Sequence, residues 1–308
     1  VGRRQPSVGL LGEDRLVSRL GRLGAAVVLV AAGLVGCSVG DRVSDGPEDD
    51  ATSPDATTAT PEPSATGGTG AGGQVTAEPP PRPETGTCYR LDADAAVAPT
   101  NEAEPVRCRS PHTALTWHVG TLDAVVDGHL LAVDSARVQE QVARACPRRL
   151  PGFVGATPRE LRLSMVRAVW FSPTVEQAAN GADWYRCDVV ALAKDGELAP
   201  LRRPMKGALS GDRGFDRFAV CGTARPGSEG FERVICSRKH AWRATASYDI
   251  PGRTWPGQQR LRQIGSDPCR SAGEAAANSS LDFEWALDWP DREQWRAGRR
   301  YGLCWAPD

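Results

Sequence analysis

The apolar stretch from Ala25 to Gly36 falls short of the roughly 20 residues that a membrane-spanning helix needs, and no longer one occurs. That argues against a helix-spanned membrane protein. Lysine is nearly absent: only Lys194, Lys206 and Lys239 stand among 37 cationic side chains. Arginine carries the positive charge but forms no basic block. From Thr87 to Asp308, 30 Lys plus Arg face 27 Asp plus Glu, a surplus of only 3. Nucleic acid, which needs a concentrated positive footprint, is therefore set aside as a partner. Catalytic signatures are missing too: there is no G-x-S-x-G elbow, H-E-x-x-H pair, P-loop glycine pattern or S-x-x-K. GALSG at Gly207–Gly211 has the wrong spacing, and nothing singles out an acidic pair such as Asp282 with Glu284 for glycosidase chemistry. The chain is not read as an enzyme, and no cofactor is called for.

What is present begins with an address. Arg3, Arg4, Arg15, Arg19 and Arg22 precede the short apolar stretch, the order of a secretory signal. Leu34-Val35-Gly36-Cys37 resembles a bacterial lipobox. That resemblance implies a signal peptide over residues 1–36 and lipidation of Cys37, where acyl chains bury apolar surface at about 0.8 kcal/mol per CH₂. An ordinary signal peptide with an incidental Cys37 is the alternative. The expected location is the outer face of the cytoplasmic membrane, with the membrane reached through the lipid anchor. Residues 37–86 then read as a disordered acidic tether. From residue 38 on, nine acidic side chains face only Arg42 and Arg82, among Pro, Thr and Gly. Such a segment cannot bury enough apolar surface to offset its ordering entropy.

The remaining eight of nine cysteines fall into two sets of four: Cys88, Cys108, Cys146, Cys187 and Cys221, Cys236, Cys269, Cys304. The halves echo each other. Pro173 to Cys187 reads PTVEQAANGADWYRC and Pro290 to Cys304 reads PDREQWRAGRRYGLC, so Pro, Glu-Gln, Gly and Cys coincide at an offset of 117. Cys108-x-x-x-His112 is answered by Cys236-x-x-x-His240. This is the pattern of a tandem duplication, with modules over 87–195 and 213–308 and a linker over 196–212. Periodicity within each module fits an α+β fold: a short, mostly antiparallel sheet with one or two helices. Leu115, Trp117 and Val119 alternate as a strand. Asp134 is a fair N-cap for a helix lined by Val138, Val142 and Ala145 and ending at Cys146-Pro147. Leu161 to Phe171 and Trp184 to Ala193 read as further strands. In the second half Pro256 suits a first helical position, Leu261, Ile264 and Cys269 would face inward, and Gly265 and Pro268 predict a short helix.

GTCYR, VRCRSPHTALTWHVGTL, the helical Cys146 and the closing P-x-x-E-Q…G…C resemble the septum formation domain of actinobacterial envelope proteins. The resemblance covers roughly residues 86–193 and 218–306. It departs at Lys239-His240, where the family has Pro-His, and at the displaced Trp184. It implies an extracytoplasmic binding or scaffolding role in septum formation, with an envelope protein or the cell wall as partner. An envelope hydrolase or metal-dependent enzyme acting on wall material is the competing class, and a sensory ectodomain a third. The strong preference for arginine over lysine also suits a high-GC genome.

Outside the membrane the eight cysteines should oxidise, and disulfides compensate for small cores. Three pairings exist within each set, so connectivity stays open. The pairs expected are Cys88–Cys108, Cys146–Cys187, Cys221–Cys236 and Cys269–Cys304. Cys with His is also zinc chemistry, but no second close ligand pair accompanies either C-x-x-x-H. His112 and His240 are then expected to order a turn through a backbone carbonyl, or to serve in binding. His118 and His129 lack counterparts and read as surface residues. Of the tryptophans in the second half, Trp285 and Trp295 are expected in the core, with a stacking platform for sugar or protein as the alternative for others. Arg292, Arg296, Arg299 and Arg300 read as a solvated face, or as a contact for anionic polymer or lipid headgroups.

Overall fold

A computed structural model describes residues 80–308, apart from 202–203 and 278–281. The signal segment, Cys37 and nearly all of the tether lie outside the described residues. The elements run β1 (Cys88–Tyr89), α1 (Ala93–Ala96), β2 (Ala114–Thr121), β3 (Val125–Val126), β4 (His129–Leu130), α2 (Ala136–Val154), α3 (Pro158–Arg162), β5 (Val166–Phe171), α4 (Val175–Ala179), β6 (Trp184–Lys194) and β7 (Glu197–Leu198). The second half continues with α5 (Asp212–Phe218), β8 (Val220–Gly222), β9 (Arg233–Ile235), β10 (Trp242–Asp249), α6 (Gln258–Ala276), β11 (Ala286–Asp288), α7 (Arg292–Arg296) and β12 (Tyr301–Pro307). This is a mixed α+β fold with antiparallel pairing throughout. No helix among the described residues is long and apolar enough to cross a membrane.

The strand order β1-β2-β6-β5 in the first half has its counterpart in β8-β10-β12-β11 in the second. One long helix lies on each group: α2 against β5 and β6, and α6 against β10, β11 and β12. The closing segments take the same course. Thr174 and Asp291 each form a capping box, with Gln177 and Gln294, and each opens a five-residue helix. Gly181 (φ 92°) and Gly298 (φ 105°) then turn the chain into β6 and β12 through a conformation that side chains with a Cβ rarely adopt.

Several local expectations are corrected. The first long helix is capped at Ser135, not Asp134, and runs beyond Cys146 through Pro147 and Pro151 to Val154. Its buried stripe Val138, Val142, Cys146, Leu150 and Val154 repeats every fourth residue, so packing holds the helix through both prolines. Ala145 is only half-buried. Leu161 and Leu163 are not strand residues: Thr157 and Glu160 form a capping box with Pro158 at the first helical position, so α3 stands there and β5 starts at Val166. The helix of the second half is not short, and Pro256 precedes its cap at Gly257. Gly265 sits where a Cβ would lie 2.5 Å from the Tyr248 ring, so it lets helix and sheet approach closely.

Residues of both halves share one apolar cluster, which joins Val142, Val166 and Val189 to Val220, Ile235 and Trp305. The segment between the halves contributes buried Leu201, Met205 and Leu209 to it. Among the described residues the strands of the two halves meet at Lys194 with Val234, and a bridge between Ser164 and Ala219 joins them again.

Candidate functional site

Four disulfides join Cys88 to Cys108, Cys146 to Cys187, Cys221 to Cys236 and Cys269 to Cys304. The second and fourth tie each long helix to the strand that closes its half. The first ties edge strand β1 to a turn, and the third ties β8, which pairs with both β9 and β10, to the turn after β9. In both turns the residue two before the second cysteine pairs with the first cysteine: Val106 with Cys88, and Val234 with Cys221. This geometry carries the two C-x-x-x-H segments.

In the first turn His112 is buried, and its Nδ1 lies 2.9 Å from the Ser110 carbonyl oxygen. Leu201 donates its N–H to the His112 carbonyl at 2.8 Å. His240 repeats the first contact, with Nδ1 2.6 Å from the Arg238 carbonyl oxygen. Both imidazoles thus bond the carbonyl oxygen two residues back. A carbonyl can only accept, so Nδ1 carries the proton in each.

The second turn adds what the first lacks. His240 Nε2 lies 3.0 Å from Asp308 Oδ2, and Arg243 Nε donates to the same oxygen at 2.7 Å. Arg243 Nη1 also donates to Asp216 Oδ1 at 2.8 Å, so the guanidinium is fixed at both ends. Burial opposes ionisation of Asp308, but its bonds and charge contacts with Arg243 and then His240 outweigh this and hold its carboxyl below the usual range. Cys221 Sγ lies 4.0 Å from Asp308 Oδ2. The potential ligand atoms of Cys221, His240 and Asp308 all lie within 4.8 Å of one another, which no other such group does among the described residues. Asp308, Arg243 and Asp216 were missed in the sequence. Their only connection to His240 is the fold, since Asp308 stands 68 positions away.

Arg299 is not part of a solvated face: it is buried, with Nη2 3.7 Å from Asp288 Oδ1, while Arg233 Nη2 donates to Oδ2 at 2.7 Å. Burial opposes ionisation of Asp288, but Arg233 and Arg299 hold its carboxyl below the usual range. Arg292 and Arg296 are exposed, whereas half-buried Arg300 lies over Trp295 at 3.9 Å. The core tryptophans of the second half are Trp242, Trp295 and Trp305. Trp285 is only half-buried, because it precedes β11 and rests one side on Gly273 of α6. Trp255 and Trp289 are half-buried as well, under Arg292 and Arg262. His129 is exposed, but His118 is half-buried against Tyr185 and bonded to Arg149. Burial and then the Arg149 charge lower its pKa.

These features define a disulfide-stapled α+β body with a polar corner at the turn that the Cys221–Cys236 disulfide ties to β8. The chain belongs to the Septum formation family, whose model matches residues 85–304 in one interval spanning both halves. That membership points to a role in cell division or the envelope. No curated protein and no solved structure matches the chain.

Proposed function

We propose that this chain is a lipid-anchored extracytoplasmic protein of the cell envelope that binds or scaffolds other envelope components, without catalysis, during septum assembly. The observation that carries this reading is the family match over residues 85–304. The arginine-flanked apolar run ending at Cys37 supports the anchor, and the acidic segment to residue 86 supports a spacer above the lipid. The partner is an envelope protein or cell-wall material. The matched cysteines, caps and strand orders support residues 87–195 and 213–308 as tandem copies joined through 196–212.

The test is live imaging of a C-terminal fusion to a fluorescent protein that matures outside the cytoplasm, in dividing cells. Enrichment at the septum is expected, together with release from the membrane fraction in Cys37→Ser. An even envelope signal would overturn the septal role, and unchanged membrane association of Cys37→Ser would overturn the anchor.

A further inference from the structure

We propose that the Cys221–Cys236 disulfide covers a latent zinc site, in which reduction frees two thiolates to bind Zn²⁺ together with His240 Nε2 and an Asp308 carboxylate oxygen. This goes beyond the envelope reading and does not depend on it. The set is four-coordinate Cys₂HisAsp, the donor types and number that suit tetrahedral zinc. Zn–S bonds of about 2.3 Å and Zn–N or Zn–O bonds of about 2.0–2.2 Å require donors roughly 3.3–3.8 Å apart. Nε2 and Oδ2 already lie 3.0 Å apart and Cys221 Sγ stands 4.0 Å from Oδ2, so three donors are nearly in place, while the Cys236 sulfur must swing away from its bonded partner to become the fourth. Cys221 is fully buried but Cys236, bonded to it, is only half-buried, so Cys236 is the end of the bond that a reductant would approach.

The surroundings of the donors fit as well. A zinc-ligating histidine usually gives its other N–H to a carbonyl or carboxylate, which fixes the ring. His240 Nδ1 already does this at the Arg238 carbonyl and turns Nε2 toward Asp308 and Cys221. Arg243, braced by Asp216, orients the Asp308 carboxylate in the same way. Two thiolates and one carboxylate around Zn²⁺ leave a single negative charge, which Arg243 neutralises.

The chemistry balances with a dithiol as reductant. Its two electrons and two protons cleave the Cys221–Cys236 bond to two thiols, and the dithiol closes to its own disulfide. Zinc then displaces the two thiol protons, and any proton on Nε2, to solvent. In the oxidised chain neither sulfur is a thiolate, so zinc should not bind. The first half supplies an internal control: Cys88–Cys108 and His112 repeat the C-x-x-x-H turn without forming such a ligand group.

The experiment uses the full chain in detergent, oxidised or reduced with a phosphine, and measures zinc by chelator competition and Co²⁺ by absorption. One zinc per chain is expected only after reduction, with thiolate-to-cobalt charge transfer and tetrahedral bands for Co²⁺. His240→Gln and Asp308→Asn should each weaken binding by more than about tenfold, whereas His112→Gln should not. Near-ultraviolet circular dichroism separates site loss from unfolding. If reduction loosens the fold, zinc should restore the signal in the parent and His112→Gln but not in the other two. Absence of zinc binding after reduction, or equal affinity in all four proteins, would overturn the proposal.

Discussion

Asp188 on β6 is fully buried, and its Oδ1 accepts a bond from the Thr116 hydroxyl at 2.7 Å. Its Oδ2 lies 3.3 Å from Arg186 Nη2 but outside hydrogen-bonding alignment. Arg186 is itself sandwiched between the rings of Tyr89 at 4.0 Å and Phe171 at 4.6 Å. Burial therefore outweighs the Arg186 charge and the Thr116 bond and pushes the Asp188 carboxyl up to about 6, from an ordinary value of 3.8. A folded-state value above the unfolded one stabilises fully below the ordinary carboxylate range, and that stabilisation is lost as pH rises through about 6. The amount is on the order of 2–3 kcal/mol. Urea unfolding between pH 4 and 7 should show the parent losing stability relative to Asp188→Asn as pH rises; a constant difference would refute this. Nothing in the sequence marks such residues. Arg299 sits in a run of arginines that reads as surface, and only its approach to Asp288 makes it core.

At the scale of elements, the places of β2, β6 and the two long helices were legible, while helix lengths and buried faces were not: β2 buries Ala114 and Thr116 instead of Leu115, Trp117 and Val119, and β6 is buried along nearly its whole length. Proline costs about 3 kcal/mol and glycine about 1 kcal/mol in a helix interior, so local propensity argued for ends at Cys146 and near Gly265. Each buried aliphatic side chain contributes about 1.5–3 kcal/mol, and burial of Leu150 and Val154 offsets much of what Pro147 and Pro151 cost α2. The β3–β4 hairpin carried a signal that went unread, since Asp127-Gly128 between Val125-Val126 and His129-Leu130 marks a tight turn. Gly265 shows packing and propensity in opposition. Gly265→Ala would gain helix propensity, yet its Cβ would meet the Tyr248 ring at 2.5 Å and Leu287 at 2.7 Å. The Tyr248 hydroxyl donates to the Asp288 carbonyl at 2.9 Å, so the ring is not free to retreat. Net destabilisation of about 1–3 kcal/mol by urea titration is expected. A more stable Gly265→Ala protein would show that the helix yields instead.

For the whole molecule, the two cysteine sets and the echoed closing segments read as separate modules, whereas residues of both halves share one interior. Each half has its own helix, its own sheet order and two disulfides, which by themselves would permit independent folding. Their contact argues otherwise. Met165 donates to the Phe218 carbonyl at 2.6 Å, Val220 to that of Leu163 at 2.9 Å and Leu201 to that of His112 at 2.8 Å, so each half completes the other's backbone bonding. Leu201, Met205 and Leu209 close the shared cluster between them. Cutting at this boundary would expose apolar surface that each half buries only in the presence of the other, and would leave these backbone groups unpaired. The oxidised protein should therefore unfold in one calorimetric transition, with the van't Hoff enthalpy matching the measured one. Residues 87–195 expressed alone should bind a hydrophobic dye and lack a sharp transition. Two resolved transitions in the full chain, or a cooperative isolated half, would show that the shared cluster contributes little. The single transition matters for the zinc corner too, because Asp308 follows β12, the strand that Cys304 ties to α6. A cooperative body would carry any rearrangement at the Cys221–Cys236 turn into that strand and across to the first half.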